Sequence, residues 1–295
     1  MRRGSFLEHV AWTGAGIAYS LSAGGLLTGR AVAGGAPGSL EFVQISDSHI
    51  GFHQPANPDV AGTLQAAVDA INRLPTQPSF VVHTGDITHL STPAQFDDAK
   101  AILSTLRAPL VALPGEHDVI GNDLRPYLAS FKIAHSTPDG WASWDAAGIH
   151  YVVLVNVFNF EKMGLLGTDQ LSWLAKDLAG VAASTPVVVF AHVPLYALYP
   201  QWGWTTEDGS KALALLAPFE RVTVLNGHIH QIVTHQEGNI RFASADSTAY
   251  PQPNPGSAPK PGPVTLARDS LLRAIGYRTV EIDAGNLRFE DRALG

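Results

Sequence analysis

Short apolar runs rich in β-branched residues recur along the chain at 40–45, 80–83, 110–113, 151–155, 187–191 and 222–225. Runs this short and this apolar read as buried strands. Helical patterns lie between several of them. Leu64, Ala67, Val68, Ile71 and Leu74 share one face at helical spacing, as do Phe96, Ala99, Ile102, Leu103 and Leu106, because a period of about 3.6 residues stacks such positions. The second of these helices opens with Thr92 as N-cap, Pro93 at its first position and Gln95 to close a capping box. Strand and helix in alternation confine the chain to an α/β architecture. Farther on, 232–236 and 240–245 flank the turn sequence EGN, and 278–282 and 287–290 flank DAGN, which are hairpin signals. Mixed sheets with helices outside them follow.

Polar residues able to hold metal stand where the buried strands end. The first strand is followed by Asp47 and His49, the second by Asp86, the third by Glu116, His117 and Asp118, and the later ones by His192 and by His228 and His230. In an open α/β sheet the carboxyl ends of the strands lie on one edge, so side chains far apart in sequence can meet there. Asp47, His49, Asp86, Glu116, His192, His228 and His230 make seven candidate ligands. That is too many for one tetrahedral ion and enough for two ions about 3.5–4 Å apart that share a carboxylate.

The order D-x-H, G-D, G-x-H-D, H, G-H-x-H, running from Ser46 to His230, resembles the calcineurin-like metallophosphoesterase family. The resemblance implies an αββα sandwich of two mixed β-sheets flanked by helices, and two metal ions drawn from iron, manganese or zinc. It gives Asp47, His49 and His230 to the first ion, Asp86 to both, and His192 and His228 to the second. It also implies that His117 meets the phosphate or the leaving group, with Asp118 behind it to fix its tautomer. The family's usual motif is G-N-H-D; here Glu116 replaces the Asn, bringing an anionic oxygen to the second ion. The chemistry implied is hydrolysis of a phosphoester by a metal-bridging hydroxide, since water has a pKa of about 15.7 when free and about 7 when bound to such an ion. An imidazolium then donates to the departing oxygen.

The remaining histidines, His53, His83, His89, His135, His150 and His235, read as structural or solvated. His89 stands where purple acid phosphatases, a branch of the same superfamily, carry a metal-binding Tyr, and His53 is close enough to the first motif to touch substrate. The stretch GDITHLSTPAQF resembles its counterpart in class III cyclic-nucleotide phosphodiesterases, which favours a diester. Segment 195–209, with two Tyr and two Trp among turn residues, reads as an aromatic wall at the mouth of the site. Segment 250–263 is too rich in proline for either regular element and reads as a long loop over it.

The chain has 295 residues, no Cys and a formal charge of −7. It therefore holds together by core burial without disulfides and offers no basic footprint for nucleic acid. Arg2 and Arg3 precede a run from His9 to Gly29 that has no charged residue other than histidine, and Ala31 to Ala33 supply a small-residue cleavage site. The reading is an export signal over 1–33, twin-arginine-like, followed by a single metallophosphoesterase domain over 34–295. Glycines dilute the apolar run, so no stable membrane span is expected once the signal is cleaved; that cleavage removes three Arg and one Glu and leaves a charge of −9. The expected protein is a periplasmic or secreted phosphoesterase acting on a small-molecule or lipid-borne phosphoester. The rival from another class is a metal-dependent binder that holds a phosphorylated ligand without turnover.

Overall fold

The computed structural model describes residues 40–295 except 122, 134–135, 159–162 and 284, together with the backbone of two N-terminal strands, β1 (Ala15–Leu21) and β2 (Leu27–Ala33), which pair antiparallel. The expected signal segment, apart from that backbone, and His135 lie outside the described residues.

The rest of the fold begins with β3 (Leu40–Ile45), α1 (Val60–Asn72), β4 (Phe80–His83), α2 (Pro93–Leu103), β5 (Leu110–Ala112) and α3 (Arg125–Phe131). The middle holds β6 (Ala142–Ala146), β7 (Ile149–Val153), α4 (Thr168–Leu178), β8 (Val187–Ala191), α5 (Gly209–Leu216) and β9 (Val222–Asn226). Two hairpins, β10 (Thr234–Glu237) with β11 (Ile240–Ser244) and β12 (Gly276–Asp283) with β13 (Asn286–Ala293), frame the short α6 (Arg268–Ala274).

One sheet has the order β13-β12-β3-β4-β5 and the other β10-β11-β9-β8-β7-β6. Within the first, β3, β4 and the edge strand β5 are parallel, and β12 and β13 are antiparallel additions on the other side; within the second, β7, β8, β9 and β11 are parallel, with antiparallel β6 and β10 at the two edges. Side chains of a strand alternate between faces, and the cores follow that rule. Phe42, Phe80, Val82, Tyr151, Val153, Val188 and Phe190 fill the space between the sheets. Their neighbours Val43, Ile45 and Val81 pack outward with Leu64, Val68, Ile71 and Phe96 of α1 and α2. Val152, Val187, Val189 and Val224 pack outward with Leu174, Ala212 and Leu216 of α4 and α5. The result is the four-layered αββα sandwich. Phe190 meets Phe42 edge-on at 5.6 Å in the middle layer.

Two details depart from the sequence reading. Thr92 caps α2 by accepting from Gln95 N–H at 3.3 Å, but Gln95 Oε1 accepts from Leu90 N–H at 2.7 Å, so the capping box is half made and its Gln ties down the loop before the helix. The edge strand β6 pairs with β7 and was not foreseen, although Ala142, Trp144 and Ala146 alternate with Ser143 and Asp145 and turn to the core between the sheets.

Candidate metal centre

Every expected ligand lies on a loop that leaves a parallel strand at its carboxyl end: Asp47 and His49 after β3, Asp86 after β4, Glu116 in a single 3-10 turn (Glu116–Asp118) after β5, His192 after β8, and His228 and His230 after β9. Of the seven non-glycine residues with positive φ among those described, five are Asp47, His49, Asp86, His228 and His230. Such conformations cost about 1–3 kcal/mol each and persist where surrounding structure enforces them. Part of that enforcement is visible: Asp47 N–H donates to Gly85 O at 3.0 Å, His49 N–H to Asp86 O at 2.9 Å, and His228 N–H to Asp47 Oδ1 at 3.0 Å.

Among the described residues, five overlapping groups of three have ligand atoms close enough to hold an ion, and two of them are the expected sets: Asp47, His49 and His230, and Glu116, His192 and His228. Asp86 stands between them, its Oδ2 lying 3.6 Å from His49 Nε2 and 3.6 Å from His192 Nε2. All seven are buried. Glu116 reaches the second group with both oxygens, 2.8 Å from His192 Nε2 and 3.0 Å from His228 Nδ1.

These residues fit a pair of ions. Glu116 Oε2, His192 Nε2 and both ring nitrogens of His228 are buried without a hydrogen-bond partner, the close approaches to Glu116 lacking hydrogen-bond geometry. A buried polar atom left unpaired costs about 1–3 kcal/mol; an ion coordinated by Glu116, His192 and one ring nitrogen of His228 relieves three of the four at once. The outer nitrogens are arranged for it too. His192 Nδ1 donates to Thr84 O at 2.7 Å and His230 Nδ1 to Tyr250 O at 2.7 Å, which turns each Nε2 lone pair inward. Tyr250 also stacks on His49 at 5.0 Å.

Electrostatics follow the same plan. Burial alone raises Asp47 and Glu116, but His230 beside the first, and His228 and His192 beside the second, hold both below their ordinary values. Burial and the neighbouring histidines push His49 well down. Burial lowers His117, yet Asp86 and Glu116 outweigh it, and the ring is raised above its ordinary value.

His117 lines the cavity, its backbone N–H donating to Asp86 Oδ1 at 2.9 Å and its Nδ1 to His89 O at 2.8 Å. That second bond corrects the role expected for Asp118. The tautomer of His117 is set by a backbone carbonyl, while Asp118 accepts from Ile87 N–H, Thr88 N–H and hydroxyl, and Gly115 N–H at 2.7–3.0 Å. Adjacent residues of a tight turn point in different directions, so Asp118 ties the Asp86 and Gly115 loops together and acts on His117 only through its charge. Burial pushes that carboxyl up to about 6.

The other histidines largely keep their structural reading. His83 lies under the site, bonded to Ser48 Oγ at 2.7 Å, and burial takes it down to about 3. His150 is held by Asp145 and Asp177, and His235 by Glu237 at the surface. His53 is exposed and is not among the residues that line the cavity. His89 belongs to neither expected set but forms a further group of three with His49 and His117, against which it lies.

The centre opens into a cavity of about 290 Å³. Trp202 and Trp204 form one wall, Phe52 and Tyr250 another, and Gln252 and Pro261 to Pro263 of the long loop lie across it. Both loops are therefore at the mouth, although Tyr196 turns away to stack on His235. None of the described residues lining the cavity is Lys or Arg.

The model of the calcineurin-like phosphoesterase family matches residues 40–232, and the chain belongs to that family. It is a metal-dependent phosphoric ester hydrolase, as are its named relatives. A probable cyclic nucleotide phosphodiesterase of Psychrobacter arcticus is 23% identical over 83% of this chain and 90% of its own. A glycerophosphodiester phosphodiesterase, GpdQ, of Enterobacter lignolyticus is 27% identical over 63% of this chain and 68% of its own. Among solved structures, a dimetal phosphatase from Danio rerio superposes with a TM-score of 0.64 at 14% identity, covering 88% of this chain and 98% of the other. That likeness bears on the fold, which is the αββα sandwich. No helix of the described residues is long and apolar enough to cross a membrane.

Proposed function

We propose that the protein hydrolyses a phosphodiester, a monoanion carrying an apolar or aromatic organic group. The observation that carries this reading is the cavity: two ligand triads joined by Asp86 open on aromatic walls that suit the organic group of an ester, and none of the described residues that line it is Lys or Arg. Glu116 adds an anionic oxygen, which disfavours a dianion further. The relatives named cyclic nucleotide and glycerophosphodiester phosphodiesterases support a diester.

Asp47, His49 and His230 would hold one ion, Glu116, His192 and His228 the other, and Asp86 would face both. When bound, such a pair supplies ionised water near neutral pH and draws charge from the phosphoryl oxygens. The anionic donor set, with Glu116 for the usual Asn, favours hard or highly charged ions such as ferric iron or manganese. His117 keeps its proton on the ring atom away from His89 O, because Asp86 and Glu116 raise its pKa, and gives that proton to the departing oxygen. The aromatic walls exclude water around the organic group and orient it. Arg2, Arg3 and the apolar run behind them support export to the periplasm or beyond.

The test is turnover of bis(p-nitrophenyl) phosphate against p-nitrophenyl phosphate by protein of measured metal content. The diester should be preferred by at least about tenfold in kcat/KM, a difference of roughly 1.4 kcal/mol. Preference for the monoester would overturn the diester reading; two bound ions with turnover of neither would mark a binder.

A further inference from the structure

His89 touches the rings on both sides of the reaction. Its Nδ1 is 3.3 Å from Nδ1 of His49, its ring stacks on His117 at 4.8 Å with 16° between the planes, and its carbonyl accepts the His117 Nδ1 proton. Phe52 meets the His89 ring edge-on at 5.2 Å. His49 turns its Nε2 to Asp86 Oδ2 at 3.6 Å and to His230 Nε2 at 3.2 Å, the inward side of the first triad. A nitrogen that lends its lone pair to an ion carries no proton, so the proton of a coordinating His49 sits on Nδ1. The atom it then faces is His89 Nδ1. For that contact to be a hydrogen bond, His89 must offer a lone pair there and carry its own proton on Nε2.

We propose that His89 is a positioning residue for both halves of the site: its side chain accepts the Nδ1 proton of His49 and so holds that ring as an Nε2 ligand, while its ring face and carbonyl fix His117. The proposal rests on the metal-binding reading of the first triad. His192 and His230 hand their outer protons to backbone carbonyls, which no substitution removes. His49 hands its proton to a side chain, so its orientation is open to mutation.

His89→Phe keeps a ring to stack on His117 and removes the acceptor; His89→Asn keeps an acceptor and removes the ring. Manganese and zinc titrations against a competing chelator measure each ion's affinity without turnover, and nitrogen-15 shifts of the His49 ring report its tautomer. In His89→Phe the first ion should bind about 10–100-fold more weakly, the second unchanged, and His49 should show mixed tautomers in the apo protein. His89→Asn should hold the first ion within severalfold of wild type and lose rate most on esters with poor leaving groups. Unchanged first-ion affinity in His89→Phe, or equal loss in both variants, would overturn the proposal and assign His89 to packing. Because the titrations need no catalysis, a wild type that binds two ions but cleaves no diester overturns the function alone.

Discussion

Glu116 puts a formal charge between His192 and His228, where an amide would leave those rings with a neutral neighbour. Glu116→Asn is expected to fold, since the turn that carries it is held by Asp118 and the Gly115 backbone, and to bind the second ion about tenfold or more weakly, with the greatest loss for the hardest ion. Competition titration checks this; equal affinity for every ion in wild type and variant would mean that the carboxylate does not reach the metal. At this scale the sequence was most informative where identity lies in a side chain. Seven acids and histidines at strand ends were readable because few residue types bind metal. The carbonyls of Thr84, His89 and Tyr250, which orient three of the histidines, left no trace, because every residue has a carbonyl. Asp118 was misplaced for a related reason: adjacency in sequence says nothing about direction in a tight turn.

The elements differ in how plainly they were written. The interior strands β3, β4, β8 and β9 were legible as apolar runs, whereas β6 was not, being an edge strand of five residues in which apolar Ala142, Trp144 and Ala146 alternate with Ser143 and Asp145 and form no run. Loops after β4 and β5 approach so closely that a Cβ on Gly115 would overlap the Asp86 carboxylate and backbone. Gly115→Ala is therefore expected to displace Asp86, lowering affinity for both ions together while thermal unfolding shifts by only a few degrees; loss at one ion alone would contradict the shared position of Asp86. A second prediction belongs to the β6–β7 hairpin and α4. His150 bonds Asp145 through Nδ1 at 2.8 Å and Asp177 through Nε2 at 3.0 Å. Burial lowers its pKa, but the two carboxylates prevail and raise it above 6.5. A folded-state pKa above the unfolded one stabilises fully below the unfolded value and ceases to as pH rises through the folded value. Urea unfolding should thus find His150→Gln less stable than wild type at pH near 6 and the gap narrowed near pH 9; a gap independent of pH would remove the ion pairs from the account.

In the whole molecule, two sheets share one core, and Phe190 sits in it against Phe42, Phe80 and Tyr151. The carboxyl ends of β3, β4 and β5 face those of β8 and β9 across that core, so the sandwich itself brings the two triads within one carboxylate of each other. The alternation of apolar runs and helical patterns made this architecture legible, and family resemblance supplied the packing of one sheet on the other, which no local pattern encodes. Phe190→Ala is expected to cost about 3–5 kcal/mol, read by denaturant unfolding, and to loosen both triads at once, since it separates the layers that carry them. A loss under about 1 kcal/mol would show that the layers are held mainly elsewhere.

The described residues of the cavity wall include no Lys or Arg, which bears on how a substrate arrives. Charged rims concentrate counter-charged ligands before contact and give association rates that collapse as salt is added. Here the charges of two ions would be largely offset by Asp47, Asp86 and Glu116, and the chain around them is acidic. Encounter is then left to diffusion and to the fit of the organic group against Trp202 and Tyr250, so turnover at low substrate should change by less than about twofold as ionic strength rises from 0.01 to 0.15 M, although the screening distance shrinks from about 30 to 8 Å over that range. Such a protein would select its substrate after collision rather than before it.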